Sequence, residues 1–84
     1  MNKVFSDISW DEYQYWIAND KKILKKINEL IRDIERNGND GIGKPEALKN
    51  ELSGFWSRRI TDVHRLIYNV DESNSYIARC KNHL

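Results

Sequence analysis

The spacing of apolar residues predicts a long helix over residues 20–37. Within this segment apolar residues recur at intervals of one, three or four, as one face of a helix requires, while lysines and arginines occupy the other faces. The apolar stripe consists of Ile23, Leu24, Ile27, Leu30, Ile31 and Ile34. Asp20 can cap the start of this helix, and Asn37-Gly38 is typical of a helix end.

A shorter helix is predicted just before the long one. Ser9 and Glu12 have the spacing of a capping box, in which the hydroxyl and the carboxylate satisfy free N–H groups at a helix start. Large apolar residues then fall on one face, which we expect to pack on the core. These residues are Trp10, Tyr13, Trp16 and Ile17.

The second half of the chain has a β pattern. Residues 38–45, GNDGIGKP, hold three of the four glycines and the only proline and predict a loop, and residues 47–52 predict one irregular helical turn. Three strands follow at about residues 55–60, 64–70 and 76–82, and Val4-Phe5 suggests a short first strand. The order β-α-α-β-β-β predicts an α+β fold, in which two N-terminal helices pack on one face of a small twisted, mainly antiparallel sheet.

Alternation along these strands separates apolar from cationic side chains. The residues expected to face the core are Leu66, Tyr68 and Val70 in the middle strand and Tyr76, Ala78 and Cys80 in the last strand. A three-residue loop at residues 61–63 would place Arg59 opposite Arg65. The other face of the sheet would then carry Arg59, Arg65, Arg79, Lys81 and His83.

The length of 84 residues allows one hydrophobic core, so the sequence predicts a single domain over residues 1–84. The single cysteine, Cys80, excludes an internal disulfide and a multi-cysteine metal site, and we expect it to be a buried, inert thiol. No apolar run approaches the roughly 18 residues of a membrane span. We therefore expect a cytoplasmic protein that makes no membrane contact.

The charge is distributed unevenly although the whole chain carries only +1. Residues 1–43 hold seven Lys/Arg and eight Asp/Glu (net −1), and residues 44–84 hold seven and five (net +2). Like charges opposed across strands destabilise a sheet, so the cationic face predicts a bound anion. The alternative is that these cations only keep an exposed sheet face in solution.

Four segments resemble the YoeB-type toxins of bacterial toxin–antitoxin pairs, within the wider RelE/ParE fold group. They are SWDEYQYW at residues 9–16, KKINELI at 25–31, GKPEALK at 43–49 and LSGFWSRRITDVHRLIY at 52–68. His83, near the end of the chain, adds to the resemblance, which extends along nearly the whole length. It implies a RelE-like microbial ribonuclease fold and a ribosome-dependent endonuclease that cuts messenger RNA.

The resemblance also implies the residues of the site. Glu46 would be the general base, Arg65 the transition-state stabiliser and His83 the general acid, and no metal or cofactor is implied because the 2′-OH of RNA lies next to the scissile phosphate. Arginine suits this task because its planar fork donates two parallel hydrogen bonds. The residues expected to assist in binding phosphate or RNA are Lys49, Arg59, Lys81 and Leu84. His64 points to the core side and is expected to be structural.

The implied partners are messenger RNA on the bacterial ribosome and a cognate YefM-like antitoxin, and a homodimer stays open. Leu84 departs from the family pattern, in which a tyrosine follows the histidine. This departure leaves a second interpretation open, a weakened or inactive member that only binds its antitoxin or the ribosome. A third, gyrase poisoning as in the ParE branch, is less favoured because that branch needs no glutamate–arginine–histidine set.

Overall fold

The computed structural model of the protein describes residues 1–83, which form two helices and a five-stranded sheet. The elements in chain order are β1 (Asn2–Phe5), α1 (Asp7–Asn19), α2 (Lys21–Asn37), β2 (Glu46–Ala47), a 3-10 turn (Asn50–Leu52), β3 (Trp56–Arg59), β4 (Arg65–Val70) and β5 (Asn74–Arg79). The predicted α+β class, with two N-terminal helices and a mainly antiparallel sheet, is confirmed. Within the described residues, no helix has the length and apolar character needed to span a membrane.

The strands lie in the order β1-β5-β4-β3-β2. β1 runs parallel to β5, and the other neighbouring strands are antiparallel. The sequence predicted four strands and missed β2, because two residues are too few to show an alternating pattern. β2 extends the sheet beyond β3 and places Glu46 opposite Ser57.

The apolar stripe of α2 packs against the sheet, as predicted. Its buried members are Ile27, Leu30, Ile31 and Ile34, and Ile23 and Leu24 lie at the margin of the core. Asp20 caps the helix, since its Oδ1 accepts hydrogen bonds from the backbone N–H groups of Lys22 and Ile23, both at 3.1 Å. The helix ends at Asn37, and Gly38 follows with a φ of +62°.

The start of α1 differs from the prediction. Ser6, not Ser9, is the cap, because its Oγ accepts a hydrogen bond from the Ser9 N–H at 3.0 Å. Ser9 is fully buried, and its hydroxyl donates to the Ile77 carbonyl at 2.6 Å. The capping box at Ser9 and Glu12 is therefore wrong, and both residues instead bond to the last strand and the residue after it.

The buried face of α1 also differs from the prediction. Ser9, Glu12 and Trp16 face the sheet, whereas Trp10 and Ile17 are 51% and 44% exposed. Two of the three inward positions are polar, so the pattern of apolar residues pointed to a different side of the helix. Trp16 is correctly predicted to lie in the core, where its indole N–H donates to the Cys80 carbonyl at 2.9 Å.

A β-bulge in β5 changes which of its residues face the helices. Tyr68 pairs with Ile77 but Ile67 pairs with Arg79, so Ala78 is an extra residue without a partner on β4. Ile77 therefore lies in the core, and the prediction that Tyr76 and Ala78 lie there is wrong.

Cys80, one residue beyond β5, is buried as predicted. Its burial raises the pKa of the thiol to about 12. At neutral pH the thiol is therefore protonated and a weak nucleophile, as expected for an inert cysteine.

Candidate active site

A cleft of about 260 Å³ lies on the face of the sheet opposite the helices. The side chains that line it are Lys44, Glu46, Leu48, Ser57, Arg59, Arg65, Ile67 and His83. Glu46, Arg65 and His83 come from three distant segments of the chain, and the fold brings all three to this cleft. Arg59, expected to bind phosphate, is also part of its wall.

The hairpin between β3 and β4 fixes the two arginines of the cleft. Arg59 pairs with Arg65 across the strands, and the residues between them form the turn, which confirms the predicted loop and register. The Thr61 hydroxyl accepts hydrogen bonds from the N–H groups of Val63 and His64 at 3.1 and 3.0 Å. The two cations are therefore neighbours on one face of a tightly bonded hairpin.

The Arg65 guanidinium is held from one side. Its Nη1 donates to the backbone carbonyls of Thr61 at 2.6 Å, His64 at 3.1 Å and Asp62 at 3.3 Å. Within residues 1–83 all of its hydrogen bonds leave from Nη1, so the donors on Nε and Nη2 have no partner in this part of the chain. A guanidinium anchored in this way can present two donors to an anion.

Glu46 is held by strand pairing at the edge of the sheet. Glu46 pairs with Ser57 of β3. In the loop just before Glu46, the Gly43 carbonyl accepts a hydrogen bond from the Arg59 N–H at 2.7 Å. Gly43 has a φ of +81°, and a Cβ there would lie 2.7 Å from a methyl group of Leu30, so the approach of this loop to α2 requires glycine. The loop thereby fixes where Glu46 enters the cleft.

His83 lies on the segment that follows β5. The Asn82 carbonyl accepts a hydrogen bond from the Arg65 N–H at 3.0 Å, and the Asn82 N–H donates to Nδ1 of His64 at 2.8 Å. His83 itself is exposed. These two bonds hold the backbone beside β4 and bring His83 to the same cleft as Arg65.

Two other predicted cations do not line the cleft. The expectation that Arg79 joins the open cationic face is wrong, because its Nε and Nη2 donate to Glu12 of α1 at 3.0 and 2.8 Å, which raises the pKa of the guanidinium. The Lys81 ammonium lies 4.6 Å from the ring centroid of Tyr15.

The remaining RNA-binding predictions lie outside the cleft wall. Lys49 is exposed just before the 3-10 turn, so its role and that of Lys81 stay predictions. Leu84 lies outside the described residues.

Sequence reasoning missed two polar residues of the cleft wall, Lys44 and Ser57, beside the apolar Leu48 and Ile67. Lys44 reaches it from the loop with a φ of +53°, and Ser57 reaches it from β3. Alternation could have identified Ser57, because it lies two positions before Arg59 on the same strand. Within the described residues, no three His, Cys, Asp or Glu side chains are grouped so that they could hold a metal ion.

A third arginine of the hairpin, Arg58, points to the helix side and is fully buried. Its five N–H donors are all used. Nε donates to the Tyr68 hydroxyl, Nη1 to Asp33 and the Ile42 carbonyl, and Nη2 to the carbonyls of Gly38 and Asp40. The hydrogen bond from Arg58 holds the pKa of Asp33 below its usual value. Arg58 therefore joins α2 to the loop that leads to Glu46.

Comparisons with known proteins agree with this architecture. The model of the YoeB-like toxin of bacterial type II toxin–antitoxin systems matches residues 5–84. Toxin YoeB of Escherichia coli K12 is 55% identical over 83 residues, which are 99% of each chain. A YoeB dimer and a YoeB–YefM complex from Staphylococcus aureus match with TM-scores of 0.95 and 0.94, at 52% and 50% identity, over all of this chain and 98% of theirs. The chain therefore belongs to the family of YoeB-like toxins of bacterial type II toxin–antitoxin systems.

Proposed function

We propose that this toxin is an endoribonuclease that cuts messenger RNA in the A site of the bacterial ribosome. The observation that carries the proposal is the convergence of Glu46, Arg65 and His83 on one cleft that also contains Arg59 and Lys44. A base, an acid and a group of cations are what the cleavage of a phosphodiester requires. Messenger RNA under translation places this activity in the bacterial cytoplasm.

The proposed reaction uses the 2′-OH of RNA as its nucleophile and needs no added metal. Glu46 removes the proton of the 2′-OH, whose oxygen then forms a bond to the phosphorus. The donors on Nε and Nη2 of Arg65 stabilise the negative charge that develops on the phosphoryl oxygens. His83 protonates the 5′-oxygen as its bond to phosphorus breaks, which leaves a 2′,3′-cyclic phosphate and a 5′-hydroxyl.

The proposed neutralising partner is a YefM-like antitoxin. A relative from Staphylococcus aureus with 50% identity forms a YoeB–YefM complex, and another structure from that organism is a YoeB dimer. An acidic antitoxin segment can bind Arg59 and Arg65 because carboxylates and phosphates pair with the same guanidinium donors. A complex whose antitoxin leaves the cleft uncovered would contradict this mode of inhibition. Sedimentation of the purified toxin tests whether it forms a homodimer.

Cleavage on programmed ribosomes tests the proposal. We expect messenger RNA to be cut with 5′-hydroxyl and cyclic or 3′-phosphate ends, including when EDTA is added after ribosome loading. His83→Gln is the matched control and should cut far more slowly. Ends with a 5′-phosphate would contradict the mechanism, binding without cleavage would favour the inactive alternative, and trapped DNA breaks would favour gyrase as the target.

A further inference from the structure

His64 contacts the segments that carry both Arg65 and His83. Its Nδ1 accepts the hydrogen bond from the Asn82 N–H at 2.8 Å, one residue before His83. Its backbone carbonyl accepts from Nη1 of Arg65 at 3.1 Å and from the Ile60 N–H at 3.0 Å. A single residue therefore bonds to Arg65 of the cleft wall and to the residue before His83, which lies 18 positions from His64 in the chain.

The backbone at Asn82 needs such a restraint. Asn82 has a φ of +66°, a left-handed conformation that asparagine tolerates better than most residues but that still costs energy. Strand β5 has already ended at Arg79. The bond to His64 and the bond from Arg65 hold Asn82 on both of its backbone polar groups, and the direction of the chain at Asn82 determines where His83 lies.

The surroundings of His64 fix the plane of its ring. The imidazole packs edge-on against Trp16 of the core, with the ring centroids 4.8 Å apart. Trp16 also donates to the Cys80 carbonyl, which lies two residues before Asn82. An imidazole accepts at Nδ1 only when that nitrogen carries no proton, so the neutral ring must carry its proton on Nε2.

We infer that His64 is a positioning residue, whose neutral imidazole holds the backbone of Asn82 and thereby sets the position of His83 in the cleft. The inference deepens the proposed endonuclease function and rests on it for its effect on rate. The competing explanation is that His64 only fills space beside Trp16. The two explanations differ in one atom, since filling space needs a ring and positioning needs an acceptor at Nδ1.

Two substitutions separate the acceptor from the ring. His64→Phe keeps an aromatic ring against Trp16 and removes the acceptor, whereas His64→Asn places an amide oxygen near the position of Nδ1 and loses most of the ring. We expect His64→Phe to slow single-turnover cleavage on programmed ribosomes by roughly tenfold to a hundredfold, because small misplacements of a reacting group have effects of this size. His64→Asn should recover most of the rate even if its melting temperature is the lower of the two.

Amide exchange measured by NMR tests the contact without any cleavage assay. Exchange of the Asn82 N–H should be roughly tenfold faster in His64→Phe than in the unchanged chain, and His64→Asn should restore its protection. In the unchanged protein, the His64 ring should carry its proton on Nε2. This measurement does not depend on whether a variant folds. A proton on Nδ1, or equal Asn82 exchange in all three proteins, would overturn the inference.

The cleavage assay tests the effect on rate separately from the contact. Faster Asn82 exchange in His64→Phe together with an unchanged cleavage rate would also overturn the positioning role. If the unchanged chain cuts no RNA, the proposed function fails and the effect on rate fails with it, and the exchange data alone then decide whether His64 holds the Asn82 backbone.

Discussion

Arg58 and Arg59 are neighbours in the sequence but lie on opposite faces of the sheet. Arg58 has no exposed surface and all five of its N–H donors bond to groups of the chain. Arg59 is exposed and lines the cleft, and among the described residues its guanidinium has no hydrogen-bond partner. A cation whose donors are all used stabilises the fold, whereas a cation with free donors is available to a ligand.

The largest expected effect is on stability and comes from Arg58. We expect Arg58→Ala to lower the free energy of unfolding by about 3 kcal/mol. This value is the lower end of the range for breaking a buried ion pair, because the side chain of the partner, Asp33, is still 16% exposed. Urea denaturation measures this change. The matched control is Arg59→Ala, which should cost less than about 1 kcal/mol. Equal losses in the two variants would show that the buried hydrogen bonds of Arg58 do not stabilise the fold more than the exposed Arg59 does.

The next effect concerns activity on the open face. Arg65→Ala should slow cleavage of ribosome-bound messenger RNA on the order of a hundredfold, because it removes donors to the developing phosphoryl charge. Its free energy of unfolding should stay within about 1 kcal/mol of the unchanged protein, since within residues 1–83 the side chain of Arg65 donates hydrogen bonds only to carbonyls of the turn and of His64. Arg32→Ala, which removes an exposed arginine outside the cleft, should alter neither rate nor stability. An unfolded Arg65→Ala would show that this arginine belongs with Arg58.

A smaller effect is expected at the last residue of the chain. The family resemblance implies a tyrosine at the position of Leu84, and a tyrosine could stack on a base or bond to the scissile phosphate. We expect Leu84→Tyr to speed single-turnover cleavage by about tenfold without changing the type of RNA ends. If Leu84→Tyr is no faster than the unchanged chain, the terminal side chain has no part in the reaction, and Leu84→Ala would then leave the rate unchanged as well.

The smallest expected effect is on how the stability of the fold depends on pH, and it comes from Asp33, the buried-side partner of Arg58. The hydrogen bond from Arg58 holds the pKa of Asp33 in the folded state below its value in the unfolded state. The Asp33 carboxylate therefore stabilises the fold fully at pH values above its unfolded pKa of about 4. This contribution is lost as the pH falls through the folded-state pKa. We expect unfolding free energies measured between pH 5 and pH 2 to fall less steeply in Asp33→Asn than in the unchanged chain.

Asp71 provides the matched control for this acid dependence. Hydrogen bonds from the backbone of Ser73 and Asn74 also lower the pKa of Asp71, but this carboxylate is exposed in a turn. Asp71→Asn should therefore change the pH dependence less than Asp33→Asn does, because solvent screens an exposed carboxylate. The reverse order would show that the buried network contributes little.

Regular alternation predicted the first hairpin but not the last strand. Arg59 and Arg65 pair as expected because no extra residue interrupts β3 or the start of β4. In β5 the bulge at Ala78 shifts the pairing by one residue, so Ile77 lies in the core where Tyr76 and Ala78 were expected. A bulge is a property of two paired strands, and no glycine in β5 marks it in the sequence.

Alternation along the strands predicted that Arg59, Arg65 and His83 share one face of the sheet, and only the family resemblance added Glu46 and the roles of the site residues. Glu46 lies on a short strand, and no local spacing indicates that this strand meets the segments that carry Arg65 and His83. The buried role of Arg58 could not be predicted either. Alternation with Trp56 and Ile60 places Arg58 on the core side of the strand. The groups that bind it, among them Asp33 and the Ile42 carbonyl, lie 25 and 16 positions away in the sequence, so no local pattern indicates them.

The parallel pairing of β1 with β5 affects when the chain can fold. Residues 2–5 bond to residues 74–77, so the first strand has no partner until the last strand is present. β5 also joins β1 to β4, and without it the sheet is divided in two. While residues 74–83 of a nascent chain are still inside the ribosome that makes it, β1 is unpaired and His83 cannot reach the cleft. The cleft can therefore assemble only after β5 and the segment that carries His83 have emerged from the ribosome.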